Sequence, residues 1–308
     1  MDNNNHSYDL IIIGAGPAGL AAAIYTSRAS LSTLVVDESM AGGQVKTTHQ
    51  VANYPGFVDP IPGHELARNM RDQAARFGTR FELAADIAAI QLDGSEKTIT
   101  VDNTTYSTKN IIIATGSSPR LLNVPGEIDY KGSGVSYCAT CDGEFYKDKD
   151  VTVIGGGNSA MEESLLLLQM VKSLTVIHQF DELQAEKITA NKVLSNPKTK
   201  ILWSHEPREF IKNKDRMITL AENLKTKEIV KLESDGIFIF AGMVPNTGLV
   251  KRSKLNLSEQ GYIITDENME TNLNGVYGAG DVRVKKYRQI TTATSDGTIA
   301  ALSIIQKR

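Results

Sequence analysis

Two stretches of the chain share one layout, in which a short run of β-branched residues leads into a glycine-rich loop and a helix start rich in small residues. The first stretch covers residues 10–23, and the second covers residues 151–163, displaced by 141 positions. A second apolar run follows each of them, at residues 33–36 and 174–177. Because strands that alternate with helical segments are typical of parallel sheets, the sequence predicts two βαβ units in tandem.

Both loops carry small residues at the positions where a bound pyrophosphate requires them. They are Gly14, Gly16 and Gly19 in the first loop, and Gly155, Gly157 and Ala160, together with the intervening Asn158 and Ser159, in the second. The first position permits a tight turn, the second lets the backbone approach the pyrophosphate, and the third must be small for helix–strand packing. Phosphates then lie at the helix N-terminus, where free N–H groups favour anions. The repetition favours an α/β fold of two Rossmann-like dinucleotide-binding domains over glycine-rich turns in an ordinary sheet.

The residue that ends the second strand differs between the two units. In dinucleotide-binding proteins an acidic residue there binds the hydroxyl groups of the adenosine ribose. The first unit has Asp37, 23 residues after Gly14, whereas the second has His178 at the same distance from Gly155. The sequence therefore predicts a ribose contact in the first unit and leaves the nucleotide preference of the second unit open.

Two later segments look like the closing elements of the first unit. Residues 110–116 form an apolar run that ends in small residues, and residues 274–281 form a strand-like run that ends in a Gly-Asp turn. A helix of small residues is expected over 291–305. Two roles are open for the carboxylate of Asp281. It could accept a hydrogen bond from a ribityl or phosphate group, or it could cap the helix that begins near Gln289.

Chain length and turn-rich segments predict a discontinuous domain. With 308 residues, and about 150 residues per domain as a guide, two domains are expected. Turn-rich segments at 117–119 and 245–248 flank the second unit and are candidate linkers. The first domain would then comprise residues 1–117 and 246–308, with residues 118–245 inserted as the second.

The charge balance gives no reason to expect a polyanionic partner. Lys and Arg number 33, Asp and Glu number 36, and the formal net charge is −3. This argues against a nucleic-acid partner or an anionic membrane surface. No apolar run reaches the roughly 18 residues of a membrane span, and the polar residues 1–8 lack the basic region of a signal peptide. We therefore expect a cytoplasmic protein.

The chain has two cysteines, Cys138 and Cys141, in a single Cys-x-x-Cys motif. A secreted disulfide framework would need more pairs. The five histidines, at 6, 49, 64, 178 and 205, show no paired spacing, so no metal site is expected. In such a motif one thiol tends to have a lowered pKa, and its thiolate is the attacking form. Redox function is therefore favoured over two unreactive core thiols.

Asp142 follows the second cysteine directly. A carboxylic acid beside a dithiol can donate a proton to a departing thiolate. The alternative is that Asp142 and Gly143 form a common turn pair with no chemical role.

These features together resemble the low-molecular-weight thioredoxin reductases. The segments that carry the resemblance are Gly14-Ala-Gly-Pro-Ala-Gly19, Gly42-Gly-Gln44, Asn53-Tyr-Pro-Gly56, Ala114-Thr-Gly116, Cys138-Ala-Thr-Cys-Asp142, Gly155-Gly-Gly-Asn-Ser-Ala160, Gly278-Ala-Gly-Asp281 and Arg288-Gln-Ile290. They occur in order and cover essentially the whole chain, and the cysteine motif at this location is highly specific.

The resemblance implies a homodimeric flavoprotein with FAD in the discontinuous domain. It assigns to FAD the residues Gly14, Gly16, Gly19, Asp37, Gly43, Gln44, Asn53, Ala114, Gly116, Gly280, Asp281, Arg288, Gln289 and Ile290. Electrons would pass from reduced flavin to the disulfide and then to thioredoxin or a glutaredoxin-like protein. By the same resemblance Cys141 faces the flavin, Cys138 attacks the partner, Asp142 is the acid, and the two linkers allow one domain to rotate against the other.

The chain departs from this family where NADPH would be recognised. NADPH-linked members carry His-Arg-Arg-x-x-x-Arg after the second strand of the second unit, whereas this chain has His178-Gln-Phe-Asp-Glu-Leu-Gln184. A 2′-phosphate requires permanently charged, fork-shaped donors, and all three arginines are absent. NADPH is therefore disfavoured, and NADH, with Asp181 or Glu182 as the acid, ferredoxin and a deazaflavin remain as candidate donors.

Two other functions compete with a thioredoxin reductase. One is an NADH-linked reductase that feeds a peroxiredoxin, although such proteins often carry an extra N-terminal redox module and this chain begins its first strand by about residue 9. The other is a flavin-bound redox sensor or interaction protein, which the intact dithiol and Asp142 disfavour.

Overall fold

The structure is a computed structural model that describes residues 6–48 and 50–308. The expectations for residues 1–5 and for His49 lie outside the described residues. The chain divides into two compact units, the first comprising residues up to 118 with 244–308, and the second comprising residues 119–243. These limits lie one residue from the predicted boundary at 117 and two residues from the predicted boundary at 245.

Strands and helices alternate along much of the chain. The strands are β1 (Ser7–Ile13), β2 (Thr33–Asp37), β3 (Arg80–Leu83), β4 (Ile87–Gln91), β5 (Lys97–Val101), β6 (Thr104–Ile113), β7 (Ser117–Pro119), β8 (Val135–Ser136), β9 (Asp150–Ile154), β10 (Ser173–His178), β11 (Thr199–Trp203), β12 (His205–Asn213), β13 (Arg216–Asn223), β14 (Ile229–Ser234), β15 (Gly236–Ile239), β16 (Met243–Pro245) and β17 (Val276–Gly278). The helices are α1 (Pro17–Arg28), α2 (Gly63–Arg76), α3 (Ala139–Asp142), α4 (Asn158–Leu168), α5 (Lys187–Leu194) and α6 (Ile290–Gln306).

The first unit is built on a sheet in the order β3-β2-β1-β6-β5-β4, with β17 paired to the second half of β6. β1, β2, β3, β6 and β17 are parallel, whereas β4 and β5 join in antiparallel fashion. Residues 10–13 of β1 are at most 1% exposed, because a central parallel strand is covered on both faces. This explains why the segment is an unbroken apolar run rather than an alternating one.

Helices α1 and α6 pack closely on one face of this sheet. The contact depends on Gly297, since a Cβ there would lie 2.0 Å from the carbonyl oxygen of Ala18. Small residues on both helices allow this approach, which accounts for the alanine-rich start of α1. The packing places the first turn of α1 beside the turn that follows β17, where Gly280 lies.

The second unit repeats the first design on a smaller scale. Its main sheet is entirely parallel, in the order β11-β10-β9-β15-β8, and α4 and α5 connect its first three strands. An antiparallel sheet of β12, β13 and β14 is added to it, which the sequence analysis did not predict. The prediction of an α/β fold with two Rossmann-like units is confirmed.

In residues 6–48 and 50–308 no helix combines the length and apolar character that crossing a bilayer requires.

Candidate active site

The two cysteines lie in the second unit, directly after β8, and form a disulfide. Cys138 is the N-cap of α3, and its Sγ accepts a hydrogen bond of 3.1 Å from the backbone N–H of Cys141. Both residues are half-buried. The expected turn is thus a short helix, and the N–H of Cys141 in that helix donates to the sulfur of the N-cap cysteine.

Asp142 is tied to the same turn through a serine that the sequence analysis did not single out. The hydroxyl of Ser136 donates to Asp142 Oδ2 over 2.6 Å, and the same hydroxyl accepts from the backbone N–H of Cys138 over 3.1 Å. Ser136 is 5% exposed and belongs to β8, which is paired to β15. A buried residue of a paired strand therefore holds the Asp142 carboxylate.

The backbone on both sides of Asp142 is helical, unlike the simple turn of Asp142 and Gly143 that was the alternative. Asp142 ends α3, and Gly143 begins a 3-10 helix that runs to Tyr146. Burial, followed by the negative charge of Asp142, raises the pKa of Tyr146 to about 12, so this phenol stays neutral at physiological pH. The proton-donor role of Asp142 stays a prediction.

The first glycine loop is held by close backbone contacts. Gly14 has φ of +107°, and a Cβ there would lie 2.3 Å from the carbonyl oxygen of Ala114. A Cβ at Gly19 would lie 1.9 Å from the carbonyl oxygen of Gly14. Gly16 is the N-cap of α1, and no described side chain caps this helix. The N–H groups of its first turn are thus available to an anion.

Asp37 closes the second strand of the first unit beside this loop. Its Oδ2 accepts from the backbone N–H of Ala15 over 2.7 Å, and its Oδ1 accepts from the backbone N–H of Ser39 over 2.8 Å. A carboxylate has about four lone-pair positions, so it can accept further hydrogen bonds from ribose hydroxyls.

Several other predicted FAD contacts of the first unit are brought together by the fold. The amide of Asn53 donates to Oε1 of Gln289 over 3.2 Å although 236 residues separate them. The side-chain amide of Gln44 donates to the carbonyl oxygen of Ser117. Gly16 lies against Gly43, since a Cβ at Gly43 would be 3.1 Å from the Cα of Gly16. Gly116 and Gly280 also adopt positive φ, at +71° and +77°.

The alternative that Asp281 caps the last helix is wrong. Gln289 is the N-cap of α6, where its side chain and that of Thr292 form a capping box. Asp281 instead follows β17, in a 3-10 helix over Gly280–Val282. Its Oδ1 is buried without a hydrogen-bond partner among the described residues, and burial raises the pKa of its carboxyl group.

An unpartnered buried carboxyl oxygen fits a bound hydroxyl donor. Arg288 shows a similar feature, because its Nε is buried and has no partner in the described part of the chain, while its guanidinium lies 4.4 Å from the ring centroid of Tyr262. Ile290, the third residue of that motif, begins α6. A buried polar atom without a partner costs about 1–3 kcal/mol, which a polar ligand would recover. These residues therefore fit the polar groups of FAD.

The second glycine loop repeats the backbone geometry of the first. Gly155 has φ of +132°, and a Cβ there would lie 2.6 Å from the carbonyl oxygen of Phe240. Gly157 is the N-cap of α4, with open space where its Cβ would be. Ala160 is fully buried against the loop, whereas Asn158 and Ser159 are exposed in the first turn of α4.

His178 occupies the end of β10 in a different manner from Asp37. It is 5% exposed, and its ring lies over Gly156, where a Cβ would be 2.5 Å from Nδ1. Its Nε2 lies 3.0 Å from the carbonyl oxygen of Glu182, and its ring makes edge contacts with Phe180 and Trp203. Burial lowers the pKa of His178, so a neutral imidazole fills this position.

The segment that replaces the family's arginines is folded against the loop. The backbone N–H of Gln184 donates to the carbonyl oxygen of Gly156 over 2.8 Å. Asp181 pairs with Lys225 at 2.6 Å and accepts from the hydroxyl of Ser204. Of the two acids considered for NADH, Asp181 is therefore already paired, and Glu182 contributes its backbone oxygen to His178.

Within residues 6–48 and 50–308, no three His, Cys, Asp or Glu side chains converge in a manner that could hold a metal ion.

Comparisons with known proteins point in one direction. The family model of the pyridine nucleotide-disulphide oxidoreductases matches residues 8–297. The "34.2 kDa protein in rubredoxin operon" of Clostridium pasteurianum is 46% identical over 294 residues, covering 96% of this chain and 95% of that protein. Thioredoxin reductase of Peptoclostridium acidaminophilum is 44% identical over 300 residues, covering 96% and 95%. The crystal structure of thioredoxin reductase from Streptococcus pyogenes matches with a TM-score of 0.92 and 40% identity, covering 98% of each chain.

Proposed function

The chain belongs to the pyridine nucleotide-disulphide oxidoreductase family, among the low-molecular-weight thioredoxin reductases, and from this premise we propose that it carries electrons from a donor through FAD and the Cys138–Cys141 pair to thioredoxin. A glutaredoxin-like protein is the second candidate partner. The observation that carries the proposal is the disulfide at the start of α3, with the carboxylate of Asp142 held beside it by Ser136.

The residues of the first unit are those that would hold FAD. The first turn of α1 would bind the pyrophosphate, Asp37 the adenosine ribose, and Asp281 a hydroxyl group of the ribityl chain. FAD bound there supplies a two-electron reductant for the disulfide. The Asn53–Gln289 pair offers further polar groups to the same cofactor.

The dithiol form of the pair performs the exchange with the partner. The Cys138 thiolate attacks one sulfur of the partner disulfide, which forms a mixed disulfide and releases the other partner sulfur as a thiolate. Asp142 donates the proton that this leaving thiolate takes up. The Cys141 thiolate then attacks Cys138 Sγ, which restores the Cys138–Cys141 disulfide and releases the second partner sulfur as a thiolate that takes up a proton from solvent.

We infer that NADPH is not the preferred electron donor. In the second unit, Gln179, Phe180 and Gln184 stand where the family's arginines would bind a 2′-phosphate. His178 covers Gly156 with a neutral ring at the end of β10, and Asp181 is paired with Lys225, so neither of these two residues offers the free carboxylate that binds the ribose of NADH. NADH as a weak donor, and ferredoxin or a deazaflavin as non-nucleotide donors, are the proposals that this arrangement favours.

An anaerobic titration of the purified flavoprotein tests the donor. NADH, NADPH and reduced ferredoxin are added separately, and the flavin absorbance is followed in a stopped-flow instrument. Rapid bleaching by ferredoxin with slow bleaching by both nucleotides is the expected result. Fast reduction of the flavin by NADPH would overturn this part of the proposal. If none of the donors supports reduction of thioredoxin disulfide, the redox-sensor alternative is favoured.

Two cysteine variants test the assigned roles of the sulfurs. Cys138→Ser should retain a Cys141 thiolate that perturbs the flavin spectrum, whereas Cys141→Ser should trap a mixed disulfide between Cys138 and the partner. Both variants should lose disulfide turnover. A spectral perturbation in Cys141→Ser, with none in Cys138→Ser, would reverse the assignment.

The resemblance to this family also carries two broader proposals. They are a homodimer, which light scattering of the purified protein tests, and a cytoplasmic location, which cell fractionation tests. Reduction of a peroxiredoxin by the enzyme with NADH would support the second enzymatic candidate, and it can be measured in the same titration series.

A further inference from the structure

The first backbone N–H groups of α3 are shared between a sulfur and a carboxylate. Sγ of Cys138 accepts from the N–H of Cys141, as described above. Oε2 of Glu163 accepts from the N–H of Ala139 over 3.0 Å. Glu163 belongs to α4, so this contact joins the helix of the second glycine loop to the redox turn.

The carboxyl group of Glu163 occupies a backbone donor that would otherwise favour a thiolate. A helix N-terminus stabilises negative charge through its unpaired N–H groups, and a thiolate at that position has a lowered pKa. Here the N–H of Ala139 donates instead to the carboxyl group of Glu163. Backbone hydrogen bonds favour the ionised form of that group, although burial raises its pKa overall.

We propose that Glu163 is a positioning residue that holds α3 in place and, through its charge, disfavours the Cys138 thiolate and so keeps the disulfide harder to reduce. The inference rests on the proposed function. It adds to that function a residue outside the Cys-x-x-Cys motif that sets how strongly the dithiol reduces its partner.

The balance of the reduction explains the direction of the effect. Breaking the Cys138–Cys141 bond takes up two electrons from the reductant, and the two sulfurs then carry up to two protons from solvent. When Cys138 keeps its charge, the reduced state has one more negative charge close to Glu163. Removing the charge of Glu163 therefore stabilises the reduced state and raises the reduction potential.

Other ionisable groups lie near the turn and are unchanged in Glu163→Gln. Asp142 lies at the end of α3, and Glu162 lies next to Glu163 on α4 with its side chain exposed. Tyr146 follows on the 3-10 helix and stays neutral because its pKa is raised to about 12. Asp142 and Glu162 also disfavour a thiolate, so the measured effect of Glu163 is a difference against their constant background.

The test is a redox titration of the full-length protein and of Glu163→Gln. Each protein is equilibrated in mixtures of reduced and oxidised dithiothreitol at pH 8, quenched in acid, and its free thiols are labelled with a maleimide and counted by mass. Glu163→Gln should shift the equilibrium toward the dithiol by about tenfold, which is about 30 mV for a two-electron couple. Glu163→Asp, which keeps the charge, and Glu162→Gln, which removes a neighbouring charge, should each shift it far less.

A second measurement separates charge from structure. In a Cys141→Ser background, the pH dependence of alkylation by iodoacetamide gives the pKa of the Cys138 thiol, and Glu163→Gln should lower that pKa by about one unit, a tenfold change. An unchanged equilibrium and an unchanged thiol pKa in Glu163→Gln, with wild-type reduction of thioredoxin, would overturn the inference and leave the proposed function intact. Loss of thioredoxin reduction in the wild-type protein would instead count against the proposed function.

Discussion

The two glycine loops share their backbone geometry and differ in the side chain that closes the following strand. In each loop the first glycine turns with positive φ against a carbonyl oxygen, that of Ala114 for Gly14 and that of Phe240 for Gly155. In each loop the second glycine is the N-cap of a helix that no described side chain caps. Both units therefore keep the form of a phosphate site.

The two units differ in the residue that ends their second strand. Asp37 binds the backbone N–H of Ala15 in the first loop, whereas the ring of His178 covers Gly156 at the equivalent place in the second. Phe180 and Trp203 extend the second arrangement into an aromatic cluster. The backbone shape that receives phosphates is thus independent of the side chains that select a nucleotide, so the selecting side chains can differ while the phosphate site persists.

The largest effect is expected at the third small residue of the loop, where the first loop has no space for a Cβ and the second loop already carries one. Gly19→Ala places a Cβ 1.9 Å from the carbonyl oxygen of Gly14, and a backbone atom cannot yield as a flexible side chain does. Overpacking of this kind costs about 1–3 kcal/mol and occasionally more. We expect the purified variant to lose its flavin, measured by absorbance, and to unfold at a lower temperature.

The matched change in the second unit is Ala160→Gly. Ala160 is fully buried, yet it already carries a Cβ, so this variant loses only about 0.5–1 kcal/mol from the helix, together with a small cavity. The flavin content should stay at the wild-type level. Full flavin retention and an unchanged melting temperature in Gly19→Ala would show that the first loop is no tighter than the second.

The next prediction restores the nucleotide-selecting side chains of the second unit. In the triple variant Gln179→Arg, Phe180→Arg, Gln184→Arg, all three positions are exposed, so the longer side chains fit without disturbing the core. Hydrogen bonds to charged groups contribute roughly 1.5–3 kcal/mol each. Two or three of them should raise the affinity for NADPH by about two to four decades.

The measurement is the rate of flavin reduction by NADPH and by NADH in the wild type and in the triple variant. Only the NADPH rate should rise, because the added arginines bind a 2′-phosphate that NADH lacks. Lys225→Gln in the wild-type background is a control, since it frees Asp181 and should favour NADH instead. No gain of NADPH reactivity in the triple variant would mean that the nicotinamide path is blocked elsewhere, which favours ferredoxin or another non-nucleotide donor.

Sequence alone predicted the features that steric rules impose locally. A glycine at a tight turn, a small residue where a helix meets a strand, and an unbroken apolar run in a central parallel strand each leave a pattern within a few residues. For this reason the two βαβ units were predicted correctly, and the closing strands at β6 and β17 were also found. The antiparallel sheet of β12–β14 was missed because its strands alternate with charged residues and follow no glycine signature.

The unpredicted parts of the candidate site depend on contacts between distant segments. Asp181 looked available as an acid, but its partner Lys225 lies 44 residues away. Glu163 contacts the redox turn across 24 residues, and no local motif marks it. Ser136 could have been predicted from the sequence, since a hydroxyl two residues before a Cys-x-x-Cys is a candidate partner for the backbone N–H of its first cysteine.

The next two predictions neutralise one carboxylate in each unit. Asp142→Asn removes the proposed proton donor but keeps the hydrogen bond from Ser136, so only proton transfer is lost. General acid–base catalysis typically contributes about 10²–10⁴-fold. We expect a loss in this range for thiol–disulfide exchange with thioredoxin, measured by rapid mixing.

The counterpart in the first unit is Asp37→Asn. An amide oxygen can still accept from Ala15, whereas the hydrogen bond from the N–H of Ser39 is lost in the bound and the free protein alike. The hydrogen bonds to ribose hydroxyls lose their charge, at a cost of about 1 kcal/mol in binding. FAD should bind about fivefold more weakly, with thiol–disulfide exchange unchanged. Near-normal exchange in Asp142→Asn would leave that residue with a structural role only.

The smallest expected effect is a pH dependence that belongs to the second unit. Burial lowers the pKa of His178 below the 6.5 of a free imidazole, so the unfolded chain takes up a proton before the folded chain does as the pH falls. The stability that the neutral ring provides is therefore fully present above about pH 6.5 and decreases as the pH falls toward the lowered pKa. Trp203 is the chain's single tryptophan and lies beside His178, with ring centroids 6.3 Å apart, so its emission reports on this region during thermal unfolding. Between pH 7 and pH 5 we expect the midpoint seen by Trp203 to fall further in the wild type than in His178→Phe, by less than about 4 °C, the shift that roughly 1 kcal/mol produces in a domain of comparable size. An equal decrease in both proteins would show that His178 is not protonated differently in the folded and unfolded states, and the aromatic cluster at the end of β10 would then act through packing alone.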